Sequence, residues 1–327
     1  MAELTYIIPT YNSARTIERT ILSIVNQPGE RPKIIVVDDG STDETLSVLA
    51  RYKGELTCLR QPNAGPSAAR NLGLQTVDTE IVCFVDADDY VVGPHRQSME
   101  RGWNKDIDMI IGLFAEANDD RIVLSNRNKY GEIAPNDVLL RHFICNNWVQ
   151  TSTICWSTEF IRKIGGWDEK VFAVDDMELA MRGFLHNPRT MLSNAPCWVV
   201  YHTQPNPKRL TQITNPKWAA GQLWMHTKII NLIEKANGDE ETIRLFLERC
   251  MGVGRVVYLC GFHREAVGLF SIAWDRGYVK HNGPRVEAIL ARLFGTTSTL
   301  SARELVGKYK RKLRAAYQGN NQLEASP

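Results

Sequence analysis

No run of about 18 uninterrupted apolar residues occurs in the 327-residue chain, so no transmembrane helix is expected. The longest candidate, 256–274, is broken by His263, Arg264 and Glu265. The first residues, Met1-Ala2-Glu3-Leu4-Thr5-Tyr6, have no basic stretch ahead of an apolar one, so no signal peptide is expected. Cysteines at CxxC spacing are missing too. The seven present (Cys58, Cys83, Cys145, Cys155, Cys197, Cys250, Cys260) are scattered and odd in number, which argues against a zinc site or a disulfide framework and for a reduced compartment. The glycine signatures GxxxxGK[ST] and GxGxxG are absent, as are internal repeats, low-complexity tracts and any known nucleic-acid module.

What is present is an ordinary globular composition, 43% hydrophobic and 23% charged, with length for two domains or one large domain and an appendage. The net charge of +2 hides an asymmetry. Residues 211–327 carry 17 Lys/Arg against 10 Asp/Glu, whereas residues 1–210 carry 22 against 27. The first half alternates strand-like and helix-like segments. Apolar strands are predicted at Leu4–Ile8, Lys33–Val37, Glu55–Arg60 and Ile81–Val85. Helices are predicted at Ser13–Gln27 (Ser13 as N-cap), Thr42–Tyr52 and Ser67–Gln75. This alternation argues for a mostly parallel α/β sheet, with ligands at the carboxyl ends of the strands. The middle predicts a strand pair at Asp108–Phe114 and Arg121–Leu124, strands at Val149–Trp156 and Thr190–Tyr201, and helices at Pro135–Cys145, Glu159–Ile164 and Asp175–Leu185. Pro205, Pro207 and Pro216 place a boundary near 205–216, dividing the chain into 1–210 and 211–327. Beyond it, helical patterns at 217–236, 239–260, 263–275, 284–294 and 301–317 predict an all-helical extension.

The apolar run Ile81-Val82-Cys83-Phe84-Val85 leads into Asp86-Ala87-Asp88-Asp89. Clustered acids at a strand end repel one another unless a cation or hydrogen-bond donors compensate. Mg²⁺ or Mn²⁺ is commonly held by one or two carboxylates plus substrate phosphates. A solvated Asp-rich turn explains the cluster alone equally well, and its neighbours decide between the two.

Those neighbours are Pro9-Thr10-Tyr11-Asn12 after the first strand, Val36-Val37-Asp38-Asp39-Gly40-Ser41-Thr42-Asp43 after the second, and Asn63-Ala64-Gly65-Pro66-Ser67-Ala68-Ala69-Arg70-Asn71 opening a helix. Gly165-Gly166-Trp167-Asp168-Glu169 follows, and then Val174-Asp175-Asp176-Met177-Glu178-Leu179 with Arg182. In this order, over residues 3–210, they resemble the family-2 glycosyltransferases of the GT-A fold. The resemblance implies a Rossmann-like, mostly parallel mixed sheet flanked by helices, and an enzyme that transfers a sugar, with inversion, from a nucleotide-diphosphate sugar. A UDP-sugar is the expected donor and a glycan or lipid-linked molecule the acceptor.

The resemblance assigns Asp39 to the base, with Pro9, Thr10 and Tyr11 beside it. Arg70, in the first turns of a helix whose N-terminus favours anions, is a candidate to reach the base or the diphosphate, with a surface Arg as the alternative. Asp86 and Asp88 form the DxD motif together with Ala87. The resemblance implies that Asp88 is the principal ligand of Mn²⁺ or Mg²⁺ and Asp86 the donor or metal contact. Leu179 and Arg182 follow at the family's spacing, so the resemblance implies Asp176 as general base, but the chain reads Asp-Asp where the family usually reads Glu-Asp, so Asp175 remains a rival. Trp167 is a candidate acceptor residue, with burial in the core an equal alternative. His202 is a further candidate metal ligand, although Tyr201-His202-Thr203-Gln204 departs from the pattern of relatives and a structural role is the stronger reading. The QxxRW motif of processive, membrane-embedded synthases is missing.

Residues 301–317 interleave Arg303, Lys308, Lys310, Arg311, Lys312 and Arg314 with Leu305, Val306, Tyr309, Leu313 and Tyr317. A basic amphipathic helix of this kind suits an anionic membrane surface, while a solvated helix is the commoner explanation. The expected location is cytoplasmic, with peripheral contact at the inner face of the membrane. A sugar nucleotidyltransferase and a non-catalytic nucleotide-sugar binder or scaffold are the competing readings. The first usually carries an early Gly-rich loop with basic residues, which Pro9-Thr10-Tyr11-Asn12 does not match. The acid at Asp176 argues against the second.

Overall fold

The computed structural model describes residues 2–118, 121–125, 135–145, 151–193, 198–202 and 213–278. Its centre is a seven-stranded sheet. β1 (Leu4–Thr10) lies inside it, next to the central strand, with every residue buried. β2 (Lys33–Asp38) and then β3 (Thr57–Arg60) extend the sheet to one side, and β4 (Ile81–Phe84) pairs on the other, all parallel. Beyond β4 come β9 (Ile154–Ser157), antiparallel to its neighbours, then β6 (Met109–Ile111) and β10 (Thr190–Leu192). The chain thus leaves β1 in one direction and returns to its opposite flank with β4. Such a reversal opens a crevice at the carboxyl ends of the two strands, where ligands of open α/β sheets bind.

Helices cover both faces, because strands buried on both sides need two apolar layers. On one face α1 (Ile17–Val25) packs its stripe of Ile17, Ile21 and Ile24 against Tyr6, Ile8, Cys83 and Val85. α4 (His95–Gly102) joins this layer through Met99, and α2 (Thr45–Ala50) through Leu49. On the other face lie Ile7, Val37, Val82 and Phe84, the alternate residues of the same strands. This face receives α3 (Pro66–Gln75), α5 (Asn136–Ile144), α6 (Thr158–Lys163) and α7 (Asp175–Leu185). A methyl at Gly73 of α3 would lie 2.7 Å from Ile7 Cγ2 and 3.2 Å from Val37 Cγ2, so glycine lets the helix sit close on β1 and β2. That approach fixes where Arg70, one turn earlier, overhangs the strand ends.

The same apolar cluster runs on into α8 (Pro216–Lys235), α9 (Glu240–Leu259) and α10 (His263–Trp274) through Ile229, Phe246 and Phe270. α8 and α9 start where expected, capped by the side chains of Asn215 and Asp239. The segments 284–294 and 301–317 lie outside the described residues. Among those described, no helix is long and apolar enough to cross a membrane.

Several expectations need correction. Segment 108–114 is not one strand. Gly112 donates its N–H to Thr153 O at 2.7 Å and breaks it. β6 stays in the main sheet, while β7 (Leu113–Asn118) leaves for a second, four-stranded sheet with β5 (Tyr90–Val92), β11 (Trp198–His202) and β8 (Arg121–Ser125). The stretch 190–201 divides in the same way into β10 and β11. The predicted strand 149–156 shortens to β9, preceded by a 3-10 turn at Thr151–Thr153. Ser13 does not cap α1. Its N–H is taken by Thr45 Oγ1 at 2.9 Å, and the cap position falls on Thr16.

Candidate active site

The acidic cluster sits at the expected strand end. Ala87, buried, carries its backbone between two acids of different exposure. The side chain of Asp86 is 32% exposed, and Asp88 is open to solvent. α1 clamps this turn. Thr20 Oγ1, buried, lies 3.1 Å from Ala87 O and 2.6 Å from Asp89 O, and Arg19 donates to Asp88 O at 2.7 Å. Asp89 is buried and accepts from Ser152 Oγ at 3.3 Å.

Arg70 joins the cluster to α7. It donates to Asp86 Oδ1 at 2.7 Å and to Asp175 Oδ2 at 2.8 Å, with its own side chain only 7% exposed. Burial works against its charge, but Asp86, Asp175 and more distant Asp176 outweigh it and hold the guanidinium above its ordinary pKa. Ser67 Oγ donates to the same Asp175 oxygen at 2.9 Å. The two rival acids therefore differ in surroundings. Asp175 is buried and ion-paired, whereas Asp176 is half-buried, accepting from Met177 N at 2.7 Å and Thr151 Oγ1 at 3.4 Å.

Asp39 lies across the crevice at the end of β2. Its N–H donates to Thr10 O at 2.8 Å, which locks the ends of β1 and β2 together. Its carboxylate accepts from Gln61 Nε2 at 2.7 Å, Ala64 N at 2.8 Å and Gly65 N at 2.9 Å. A carboxylate has about four lone-pair directions, so room for one further donor remains. Pro9 lies within β1, and Tyr11 is 48% exposed just beyond it. Asp38 does structural work, holding Ser41 N and Arg60 Nε. Three buried polar atoms of these residues and of Trp167 have no hydrogen-bond partner: Thr10 Oγ1, Arg70 Nε and Trp167 Nε1.

Trp167 is placed differently from an acceptor platform. It is buried, edge-on to Phe84 with ring centroids 5.1 Å apart, and the Arg70 guanidinium lies 4.3 Å from its centroid. Arg70 covers the face that a sugar would need, so burial in the core is the reading that fits. Its loop is pinned from beneath. Gly165 and Gly166 both have positive φ (95° and 64°), and the turn they make presents Gly166 O to Arg182 at 2.6 Å. Arg182 also holds Glu178, and Lys228 of α8 reaches Glu178 at 2.8 Å and Asp168 at 2.6 Å. Burial pushes Asp168 up, yet hydrogen bonds from Lys228, Lys170 N and Trp224 leave its carboxyl below the usual range. His202 closes β11, and its side chain lies outside the described part of the structure.

Residues 5–160 match Glycosyl transferase family 2. The chain carries a family 2 glycosyltransferase domain. The poly(ribitol-phosphate) β-N-acetylglucosaminyltransferase TarP of Staphylococcus aureus is 32% identical over 149 residues, 42% of this chain and 45% of TarP. The probable glycosyltransferase YdaM of Bacillus subtilis is 25% identical over 258 residues, 70% of this chain and 57% of YdaM. The chain thus spans about half the length of these curated relatives. The structure of S. aureus TarS 1–349 superposes with a TM-score of 0.66 at 19% identity, covering 84% of this chain and 82% of that one. This shows the shared GT-A fold. TarS 1–349 is also known in complex with UDP-GlcNAc, at TM-score 0.58 and 16% identity.

The matched segment of this glycosyltransferase domain includes Asp39, Arg70, Asp86 and Asp88 but ends before Asp175 and Asp176. The acids of α7 enter the crevice through the Arg70 bridge, a contact across 105 residues that no local pattern reveals. Gln61 and Thr20 also escaped the sequence reading, in which Ser67 figured only as part of the helix-opening motif. Thr20 did leave a signal, as the one polar residue in the otherwise apolar stripe of α1.

Proposed function

We propose that the protein transfers a sugar from a UDP-sugar to a hydroxyl of a glycan or lipid-linked acceptor, by direct displacement with inversion at the anomeric carbon. The observation that carries this reading is the Arg70 bridge. One buried guanidinium ties the DxD turn to the helix of Asp176, at a crevice whose other wall holds Asp39. Asp39 receives the ring N–H of the base in its remaining lone-pair direction, and Thr10, its hydroxyl unpartnered, lies beside it. Arg70 offers positive charge to the diphosphate from the first turns of α3, where the helix N-terminus favours anions. Asp176 takes the acceptor hydroxyl proton as that oxygen attacks. Asp175, held by Ser67 and Arg70, positions the guanidinium.

The oxygen donors of Asp88 and Asp86 fit a hard divalent ion such as Mn²⁺ or Mg²⁺, with phosphate oxygens filling the remaining positions. When bound, the ion supplies positive charge that stabilises the departing nucleoside diphosphate. The named activities of TarP and TarS make UDP-N-acetylglucosamine the first donor to try. The lipid-linked alternative for the acceptor draws on the basic segment 301–317, outside the described residues.

The test is calorimetry against a panel of nucleotide sugars with Mn²⁺ or Mg²⁺, followed by donor hydrolysis. Binding of a UDP-sugar and metal-dependent hydrolysis are expected, with about a 100-fold loss in Asp88→Ala and an unchanged melting temperature, since Asp88 is exposed. No binding across the panel would refute the proposal.

A further inference from the structure

A second set of metal-binding atoms lies behind the acidic turn, on the α1 side of β4. Cys83 and Cys155 are directly opposed partners in the antiparallel β4–β9 pair, so their side chains leave the same face side by side. His95, opening α4, completes the group, and one ligand atom from each of the three lies within 4.8 Å of the others. Their exposures are 0%, 0% and 1%. His95 Nδ1 lies 2.9 Å from Tyr6 Oη, while Nε2 is buried with no hydrogen-bond partner.

A buried cysteine alone is usually a small core residue. The imidazole changes the case, because a buried nitrogen without a partner is rare and costs stability until something meets it. Burial lowers the His95 pKa to about 4, so the ring is neutral near pH 7, the form that ligates metals. Thiolate and imidazole ligands select soft or borderline ions over Mg²⁺ and Mn²⁺. Charge then discriminates further. Two thiolates and Zn²⁺ sum to zero, whereas two thiolates and Cu⁺ leave a negative charge in an apolar layer.

We propose that Cys83, Cys155 and His95 Nε2 supply three of the four ligands of a Zn²⁺ ion in the core, separate from the carboxylates of the crevice. Each thiol gives its proton to solvent as its sulfur–zinc bond forms. Tyr6 orients the ring from Nδ1, as outer partners of histidine ligands do. Cys83 Sγ donates to Ser152 O at 3.3 Å, and metal binding removes that proton and frees the carbonyl oxygen for a further ligand position. The scattered cysteine spacing argued against a zinc site; strand pairing brings together two residues 72 positions apart.

Because the site is closed, the ion must be supplied while the chain folds. The full chain is refolded under reducing conditions with Zn²⁺, Co²⁺ or Cu⁺, and bound metal is measured by elemental analysis. About one Zn²⁺ per chain is expected, with a thiolate-to-cobalt charge-transfer band in the Co²⁺ arm. Both should vanish in the Cys83→Ala/Cys155→Ala protein, and His95→Gln should weaken binding about tenfold or more. If the double variant does not fold, Cys155→Val preserves core volume, and Zn²⁺ should raise the melting temperature of the parent protein but not of this variant. Four results would overturn the proposal: well under one ion per refolded chain, zinc retained without the cysteines, a preference for Cu⁺ over Zn²⁺, or a Cys83–Cys155 disulfide in the purified protein.

Discussion

The crevice and the helical layer beneath it handle charge in opposite ways. Beneath, Glu178 is fully buried, and its carboxylate is met by Arg182 from the same helix and by Lys228 from α8. Arg182 spends its other donors on Ile164 O and Gly166 O. In the crevice, Arg70 is shared between two acids, Asp86 is part-exposed, Asp88 faces water, and Thr10 Oγ1 and Arg70 Nε have no partner. A buried ion pair offsets its desolvation only when its lone pairs and protons are met, and breaking one is costly. A half-met cluster instead keeps its free energy for a ligand. The contrast separates residues whose loss should unfold the protein from residues whose loss should only silence it.

The largest effect expected from this contrast is on turnover. Asp176→Asn should lower the rate of transfer about 1,000-fold, within the range of a general base, while donor affinity and melting temperature hold. Asp175→Asn should instead weaken donor binding and lower the melting temperature, because Arg70 loses a partner. If Asp175→Asn abolished turnover with donor binding intact, the two roles would be reversed. Next, Glu178→Ala should cost about 3–5 kcal/mol in denaturant unfolding, since Arg182 and Lys228 would be left with uncompensated charge. A loss under 1 kcal/mol would erase the distinction between the two regions.

A smaller effect is set by pH. Burial, reinforced by Arg249, lowers the His226 pKa to about 3. The unfolded chain takes up this proton near pH 6.5 and the folded chain does not, so stability present above that value is lost as pH falls toward 3. The expected loss is about 2 kcal/mol between pH 7 and pH 5. His226→Phe, beside Phe246, should flatten this slope; a parallel slope in the variant would exclude the residue as its source. The smallest effect belongs to the cap of α9, where Asp239→Ala should cost about 1 kcal/mol by thermal melt and leave donor binding alone.

Much of the main sheet was legible because its strands are continuous apolar runs separated by helix-period segments, and polar motifs mark their carboxyl ends. The second sheet was not, because a single residue, Gly112, diverts the chain from one sheet to the other inside what reads as one strand. α4 was missed for another reason. Its sequence, His95-Arg96-Gln97-Ser98-Met99-Glu100-Arg101-Gly102, is almost wholly polar, yet His95 and Arg96 are buried with Met99. Asp39, Arg70, Asp86, Asp88 and the acid pair of α7 stood out as an ordered motif set. The different surroundings of Asp175 and Asp176 did not, since they arise from which one Arg70 reaches.

Lys228 has a consequence for how chains of this fold can be recombined. It lies far outside the segment that matches the family, yet it grips Asp168, in the loop that carries Trp167, and Glu178, two residues after Asp176. A graft that joined residues 1–210 to another protein's helices would remove this grip unless the incoming helix placed an amine at the same point. Exchange of C-terminal parts in this chain therefore has to preserve an amine at this point.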